Sequence, residues 1–210
     1  MRLALASALI LSFISLFSCA VDDAEISTAS GSLILDYEND ESVPDSRLAV
    51  FIQTKNSVQR TDSFSAENLD SGYIWNVPFP SLFETDTRQF AYSANLKAPD
   101  GENIPKGIYK IVYNDAAGNS AEFSLKIDYD DKLLEQKSSE IAGLISGKTE
   151  NFAVYDENDE LIYFGRRKSG WTSNAAILNE YKIASYTRVC YSTPSNSVIC
   201  FMPAVFLKEK

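Results

Sequence analysis

Between Gly31 and Asp128 the chain divides into short runs rich in Val, Ile, Leu, Phe and Tyr, each stopped by a cluster of Pro, Gly, Asn or Asp. Apolar runs this short, bounded by turn residues, read as strands rather than helices. Strands are expected at 32–37, 47–54, 72–79, 89–97, 107–114 and 120–128, with a weaker one at 58–64. The breakers between them include Val43-Pro44-Asp45, Pro78-Phe79-Pro80, Pro99-Asp100-Gly101 and the segment 115–119. Tyr109, Ile111 and Tyr113 alternate with Ile108, Lys110 and Val112, and Phe123, Leu125 and Ile127 alternate with Glu122, Ser124 and Lys126. About seven strands in about one hundred residues imply a β-sandwich. Trp75, Val77 and Phe79 share one strand face and are expected in its core, while Phe83 falls in a loop.

The period changes after residue 129. Leu133, Leu134, Ile141, Leu144 and Ile145 fall on one helical face, so 130–147 reads as a single helix capped by Asp130 or Asp131 and closed by Gly147. From 148 to 210 the pattern is again strands. Two runs flank the acidic turn Asp156-Glu157-Asn158-Asp159-Glu160, and a long hairpin folds about Thr193-Pro194-Ser195-Asn196. The fold class is therefore mainly β: a sandwich over 32–129, one connecting helix at 130–147, and a smaller β-rich (α+β) region over 148–210.

The N-terminus is an address. Arg2 is followed by an apolar run ending Leu16-Phe17-Ser18-Cys19, after which the chain turns polar and acidic. That is an export signal over 1–18. It is shorter than the roughly twenty apolar residues a spanning helix needs. Leu16-Phe17-Ser18-Cys19 resembles the lipobox of bacterial lipoproteins, with Phe17 at the position where the strict form has a small residue, as in the looser spirochaete type. The resemblance implies cleavage before Cys19, lipid on its thiol, and residues 19–31 as a flexible tether.

A second resemblance concerns the fold. Pro105-Lys106-Gly107-Ile108-Tyr109 followed by Asp115-Ala116-Ala117-Gly118-Asn119 looks like the last hairpin of bacterial immunoglobulin-like domains. It implies an immunoglobulin-like β-sandwich and leaves function open, since such sandwiches host many roles. Gly118 and Asn119 suit a hairpin loop because both tolerate positive φ.

Composition removes several chemistries. Histidine is absent, which excludes imidazole-dependent triads and the commonest zinc ligand. Ser-x-x-Lys does not occur either. Loss of residues 1–18 leaves 18 basic against 29 acidic residues, a net charge of −11, which opposes nucleic-acid binding. The stretch 142–149 fits a loose phosphate-loop pattern, but a helix precedes it and a strand follows, the reverse of what phosphate binding requires. It reads as a helix end and a turn. The acidic turn 156–160 offers oxygen ligands without the spacing of a calcium loop, and reads as a solvated hairpin tip.

Two groups of residues carry what remains. Cys190 and Cys200 lie on opposite arms of the last hairpin, either bridged or as two buried thiols. Arg166 and Arg167, in the one dense basic cluster, stand near Trp171, either as a partner-binding edge or as a solvated loop with the indole in the core. No metal, cofactor or catalytic residue is nominated. The chain thus reads as a lipid-anchored, non-catalytic binding or assembly module of the cell envelope. Its partners would be the membrane, through the N-terminal lipid, and an envelope protein or glycan. A hydrolase using paired carboxylates on cell-wall glycan and a purely structural spacer are the other readings.

Overall fold

The computed structural model describes residues 23–55 and 57–208; the signal segment and Cys19 lie outside them. The chain forms β1 (Ile26–Asp36), β2 (Asp45–Thr54), β3 (Thr61–Asn68), β4 (Ile74–Val77), β5 (Ser81–Glu84), β6 (Gln89–Lys97), β7 (Gly107–Asp115) and β8 (Ser120–Ile127). Two short helices follow, α1 (Lys132–Glu135) and α2 (Ser138–Leu144). The remainder is β9 (Thr149–Tyr155), β10 (Leu161–Gly165), α3 (Asn174–Glu180), β11 (Tyr186–Ser192), β12 (Val198–Phe201) and β13 (Val205–Phe206).

The first eight strands pair as β1-β2-β6-β5 in one sheet and β4-β3-β7-β8 in the other. Lettered in chain order, these are the ABED and C′CFG sheets of an immunoglobulin-type sandwich. The motif around Tyr109 shows why. Tyr109 stands near the start of β7, fully buried, and its hydroxyl donates to the Pro105 carbonyl at 2.6 Å. This is the tyrosine corner that pins the crossing into the penultimate strand. Burial pushes its phenol up to about 12. Gly107 between them has φ +130, and a Cβ there would lie 2.1 Å from the Asp70 carboxylate, so only glycine fits. Trp75 on β4 stacks on Tyr109, and its indole N–H crosses to the other sheet to donate to the Lys97 carbonyl at 2.8 Å.

The longer sheet does not stop at the sandwich edge. β12 lies parallel to β1, with Leu33 beside Val198 and Leu35 beside Cys200, and the order continues through β11 and β9 to β10. Leu33, Leu35, Leu48, Val50, Ile52, Val198 and Cys200 form one inner face, packed on Phe64, Ile111 and Tyr113 of the second sheet. Along the same face Phe152 and Val154 of β9 meet Trp171, Ile177 of α3, Ala184 and Leu207. One apolar face is thus covered twice, by a sheet and by a helix with its loop.

Several expectations are corrected. Ile26 to Gly31, assigned to the tether, pair with β2 as the first half of β1. The run is poor in large apolar residues because Ser27, Thr28 and Ser30 are exposed, while at Gly31 the neighbouring sheet comes close: a Cβ there would lie 2.6 Å from the Ile127 side chain. The weak strand at 58–64 is a 3-10 turn, Val58–Arg60, leading into β3. The single helix over 130–147 is two, broken where Gln136 and Lys137 turn extended ahead of Ser138 and Ser139. Serines compete with helical backbone bonds and favour a helix start. The break re-aims the second half, so Leu133, Ile141 and Ile145 are buried while Leu144 is exposed. Phe79, expected in the core, is 91% exposed because β4 ends at Val77 before Pro78.

Two hairpin loops share one device. In 115–119 the Asp115 carboxylate accepts from the amides of Ala117 and Asn119, both at 2.9 Å, and Gly118 takes φ +85. In 156–160 the Asp156 carboxylate accepts from the amides of Asn158 and Glu160 at 2.8 and 2.9 Å, and Asp159 takes φ +63. Of the two residues expected to take positive φ in the first loop, only Gly118 does. The amides of Asn119 and Glu160 respectively hold the two carboxyls below the usual aspartate range, and for Asp115 the Arg60 guanidinium adds to this. A depressed folded pKa stabilises above the unfolded value, about 3.9, and that stability is lost as pH falls through the folded pKa. The thermal midpoint should therefore drop steeply below about pH 4. The double variant Asp115→Asn, Asp156→Asn should start lower at pH 7 and show a shallower acid limb in circular-dichroism melts.

Candidate functional site

The outer face of the long sheet carries charge where a strand's outward positions are usually plain polar. Register places Asp36 of β1, Arg47 of β2, Phe201 of β12, and Arg188 and Cys190 of β11 on this face. Arg47 donates through Nε to one oxygen of Asp36 at 2.6 Å, and Arg188 donates through Nη1 to the other at 2.9 Å. The guanidinium carbons stand 5.9 and 5.3 Å from the centre of the Phe201 ring. One carboxylate therefore bridges two cations above one aromatic ring, and all three charged side chains are about four-fifths buried.

Arg188 is the more deeply committed cation. Its Nε donates to the Met202 carbonyl at 2.6 Å, and its Nη2 to the carbonyls of Phe201 at 2.9 Å and Tyr37 at 3.3 Å. It thus ties β11, β12 and β1 together. Arg47 donates through Nη1 to the Ala94 carbonyl, and its Nη2 makes no hydrogen bond among the described residues. A guanidinium is a planar fork of five donors, so Arg47 has donors left for a ligand.

The triad floors a cleft of about 710 Å³. Glu38, Asp45 and Lys97 line one side; Glu157, Asp159, Tyr186 and Phe206 line the other. Tyr186 stacks on Tyr155 with ring centres 4.9 Å apart and donates to the Asp159 carboxylate at 2.8 Å. Desolvation and that acceptor together push the Tyr186 phenol above its ordinary range. The positive φ of Asp159 thus aims a carboxylate across the hairpin tip at a neighbouring strand. The acidic turn is a solvated tip in part only: Asp156 is buried and spends its carboxylate on its own loop, while Asp159 belongs to the cleft wall. Among the described residues no three Asp, Glu or Cys side chains group as a metal ion would require.

The residues singled out from sequence fall elsewhere. Cys190 opposes Phe201, and Cys200 opposes Tyr191. Directly opposed residues share a sheet face, so the two cysteines, one register step apart, point to opposite faces and a bridge between them is corrected to two free buried thiols. Burial pushes both thiols up to about 12. Trp171 is 3% exposed, a core residue against Phe152, with its indole N–H donating to Glu180 at 2.8 Å. Arg167 lies over the Phe152 ring at 5.1 Å and donates to the Trp171 carbonyl at 2.9 Å. Of the three only Trp171 is buried; Arg166 and Arg167 are both exposed, Arg167 with its guanidinium turned back onto the Trp171 carbonyl. The structure does bring this segment together, but as packing around an indole rather than as an open basic edge. In 142–149 Lys148 donates to the Ala142 carbonyl at 2.6 Å, closing the end of α2 before the turn at Gly147. The sequence reading did not join Asp36 and Arg188; the signal was a single charge in each of two strands, at the end of β1 and in the middle of β11.

No known family profile and no curated protein matches this chain.

Replacing Arg188 with Met keeps its stem but removes the donors of three carbonyls and one side of Asp36. Stability should fall by about 2–3 kcal/mol, read as a lower urea midpoint. The thiols allow an independent check. At pH 8 the folded protein should leave Cys190 and Cys200 unlabelled by a disulfide reagent over minutes, and guanidinium should expose both at once.

Proposed function

We propose that the chain is an exported, lipid-anchored module of the cell envelope that binds a partner protein without transforming it. The observation that carries this reading is the Asp36-bridged pair of guanidiniums at the floor of the cleft. Two cations share one carboxylate, so the floor keeps a positive excess with Arg47 donors to spare, while Glu38, Asp45, Glu157 and Asp159 make the rim negative. A polypeptide segment carrying an acidic side chain flanked by basic ones is complementary to such a surface, and electrostatic complementarity of this kind fixes partner and register. A glycan, with neutral hydroxyls, has less use for eight charged lining residues. Both oxygens of Asp36 are engaged by guanidiniums, which supports recognition rather than acid–base work by that carboxylate.

The anchor rests on Leu16-Phe17-Ser18-Cys19 following an export signal. In that reading Cys19→Ala abolishes fatty-acid labelling and releases the protein to the soluble fraction. Denatured protein recovered from membranes then titrates two thiols rather than three, since the third carries lipid. For the cleft, a photo-crosslinking residue at position 206 in intact cells should give a discrete protein adduct that Arg47→Met diminishes at least fivefold. Crosslinking confined to sugar, or insensitive to Arg47→Met, would sink the reading.

A further inference from the structure

A second arrangement of charge and aromatic rings lies outside the cleft. Tyr163 in the middle of β10, Trp171 in the following loop, and Tyr181 just after α3 form three walls around one point. The ring centres of Tyr163 and Trp171 are 4.8 Å apart at 74°, those of Trp171 and Tyr181 5.9 Å apart at 76°, and those of Tyr163 and Tyr181 6.2 Å apart at 38°. The Lys168 ammonium stands 5.0, 5.2 and 5.3 Å from the three ring centres. Glu180 closes the fourth side: one of its oxygens accepts from Lys168, and the other accepts from the Trp171 indole at 2.8 Å.

Three inclined ring faces and a carboxylate are the recognition chemistry of a quaternary ammonium group. An alkylammonium is a poorer match. It is strongly hydrated and needs acceptors for its three N–H donors. Here Glu180 and the Tyr181 hydroxyl take two of them, and the remaining direction is ring faces. A quaternary ammonium has no donors to satisfy and spreads its charge over methyl groups that lie against those faces.

The walls also stand without the lysine side chain. The Trp171 amide donates to the Lys168 carbonyl at 3.0 Å, Arg167 holds the Trp171 carbonyl, the Tyr163 hydroxyl donates to the Arg166 carbonyl at 2.5 Å, and the Tyr181 amide donates to Ile177 at 2.8 Å. The Lys168–Glu180 pair is about two-fifths exposed on each side, and an exposed pair of this kind is worth only about 0–1 kcal/mol. Rotation about the lysine stem therefore empties the cage while the backbone stays in place.

We infer that Tyr163, Trp171, Tyr181 and Glu180 form a binding site for a quaternary ammonium group, with Lys168 as its displaceable internal occupant. An occupant held by about 0–1 kcal/mol is in place about one half to five-sixths of the time, which lowers apparent affinity about two- to sixfold, and removing it restores that factor. Tetramethylammonium titrated calorimetrically should bind Lys168→Ala about two- to sixfold more tightly than the unmodified protein. The gain should disappear in Lys168→Ala, Tyr163→Leu and in Lys168→Ala, Tyr181→Leu, each with a thermal transition retained. Phosphocholine and dihexanoylphosphatidylcholine, titrated in parallel below the micelle threshold, separate the sources. A lipid head group ranks the second ligand higher and a free metabolite ranks the first higher; either order supports the site provided the double variants lose it. Equal affinity of Lys168→Ala and the unmodified protein overturns the inference, as does a gain that survives loss of both tyrosines.

Discussion

The parallel pairing of β12 with β1 is the contact on which the rest of the molecule depends. It turns an immunoglobulin-type sandwich with an exposed first strand into one end of a longer sheet. An uncovered edge strand is a template for unwanted pairing, and here the chain's own C-terminal region occupies it. The ladder alone is short, four register pairs from Leu33 beside Val198 to Asp36 beside Phe201. Arg188 lengthens its reach by holding the carbonyls of Tyr37, Phe201 and Met202 and the carboxylate of Asp36. Below the sheet Leu35 and Cys200 press on the sandwich core; above it the Asp36 triad closes the seam. The cleft is a consequence of that seam, since its two sides belong to strands brought together only there.

What was legible in the sequence was local. Tyr109 with Gly107 and Pro105, and Asp115 with Gly118, carry their reasons within a few residues: a hydroxyl reaching four positions back, a carboxylate capping its own loop, a positive φ that glycine tolerates. The second loop was read as a hairpin tip, but the same logic would also have found its capping carboxylate, because Asp156 and Asp159 repeat the spacing of Asp115 and Gly118. An aspartate in place of glycine hid it. Tyr186 supplies the compensation, giving the Asp159 carboxylate a partner that the left-handed backbone makes reachable.

What was not legible depended on distance or parity. Nothing near Leu33 announces Val198, because pairing between strands so far apart is decided by which apolar faces need cover, not by local preference. Cys190 and Cys200 are well placed by count and misplaced by one register step, and one step moves a side chain to the other face. Trp171 and Arg167 left an exposed edge and a buried indole both open, because Trp-and-Arg composition is common to interfaces and to cores. The difference lies in α3, whose Ile177 and Glu180 cover and bond the indole. Phe79 erred the other way, since a strand pattern was carried one residue past the proline that ends it.

The placement of cations gives these features a common cause. The chain carries 29 acidic against 19 basic residues, and six of the basic groups are drawn onto rings, four of them while also paired with a carboxylate. Arg47 and Arg188 lie over Phe201, Arg167 over Phe152, Lys148 over Tyr191, Lys106 over Tyr129, and Lys168 among three rings. A cation on a ring face keeps its charge while giving up water on one side. Where a carboxylate joins the ring, at Asp36 and at Glu180, the result is a preformed electrostatic site. In the cleft the cation belongs to the protein and a ligand meets its spare donors. In the cage the cation is a side chain standing where a ligand's cation would be more comfortable, and the same physics that seats Lys168 there makes it replaceable.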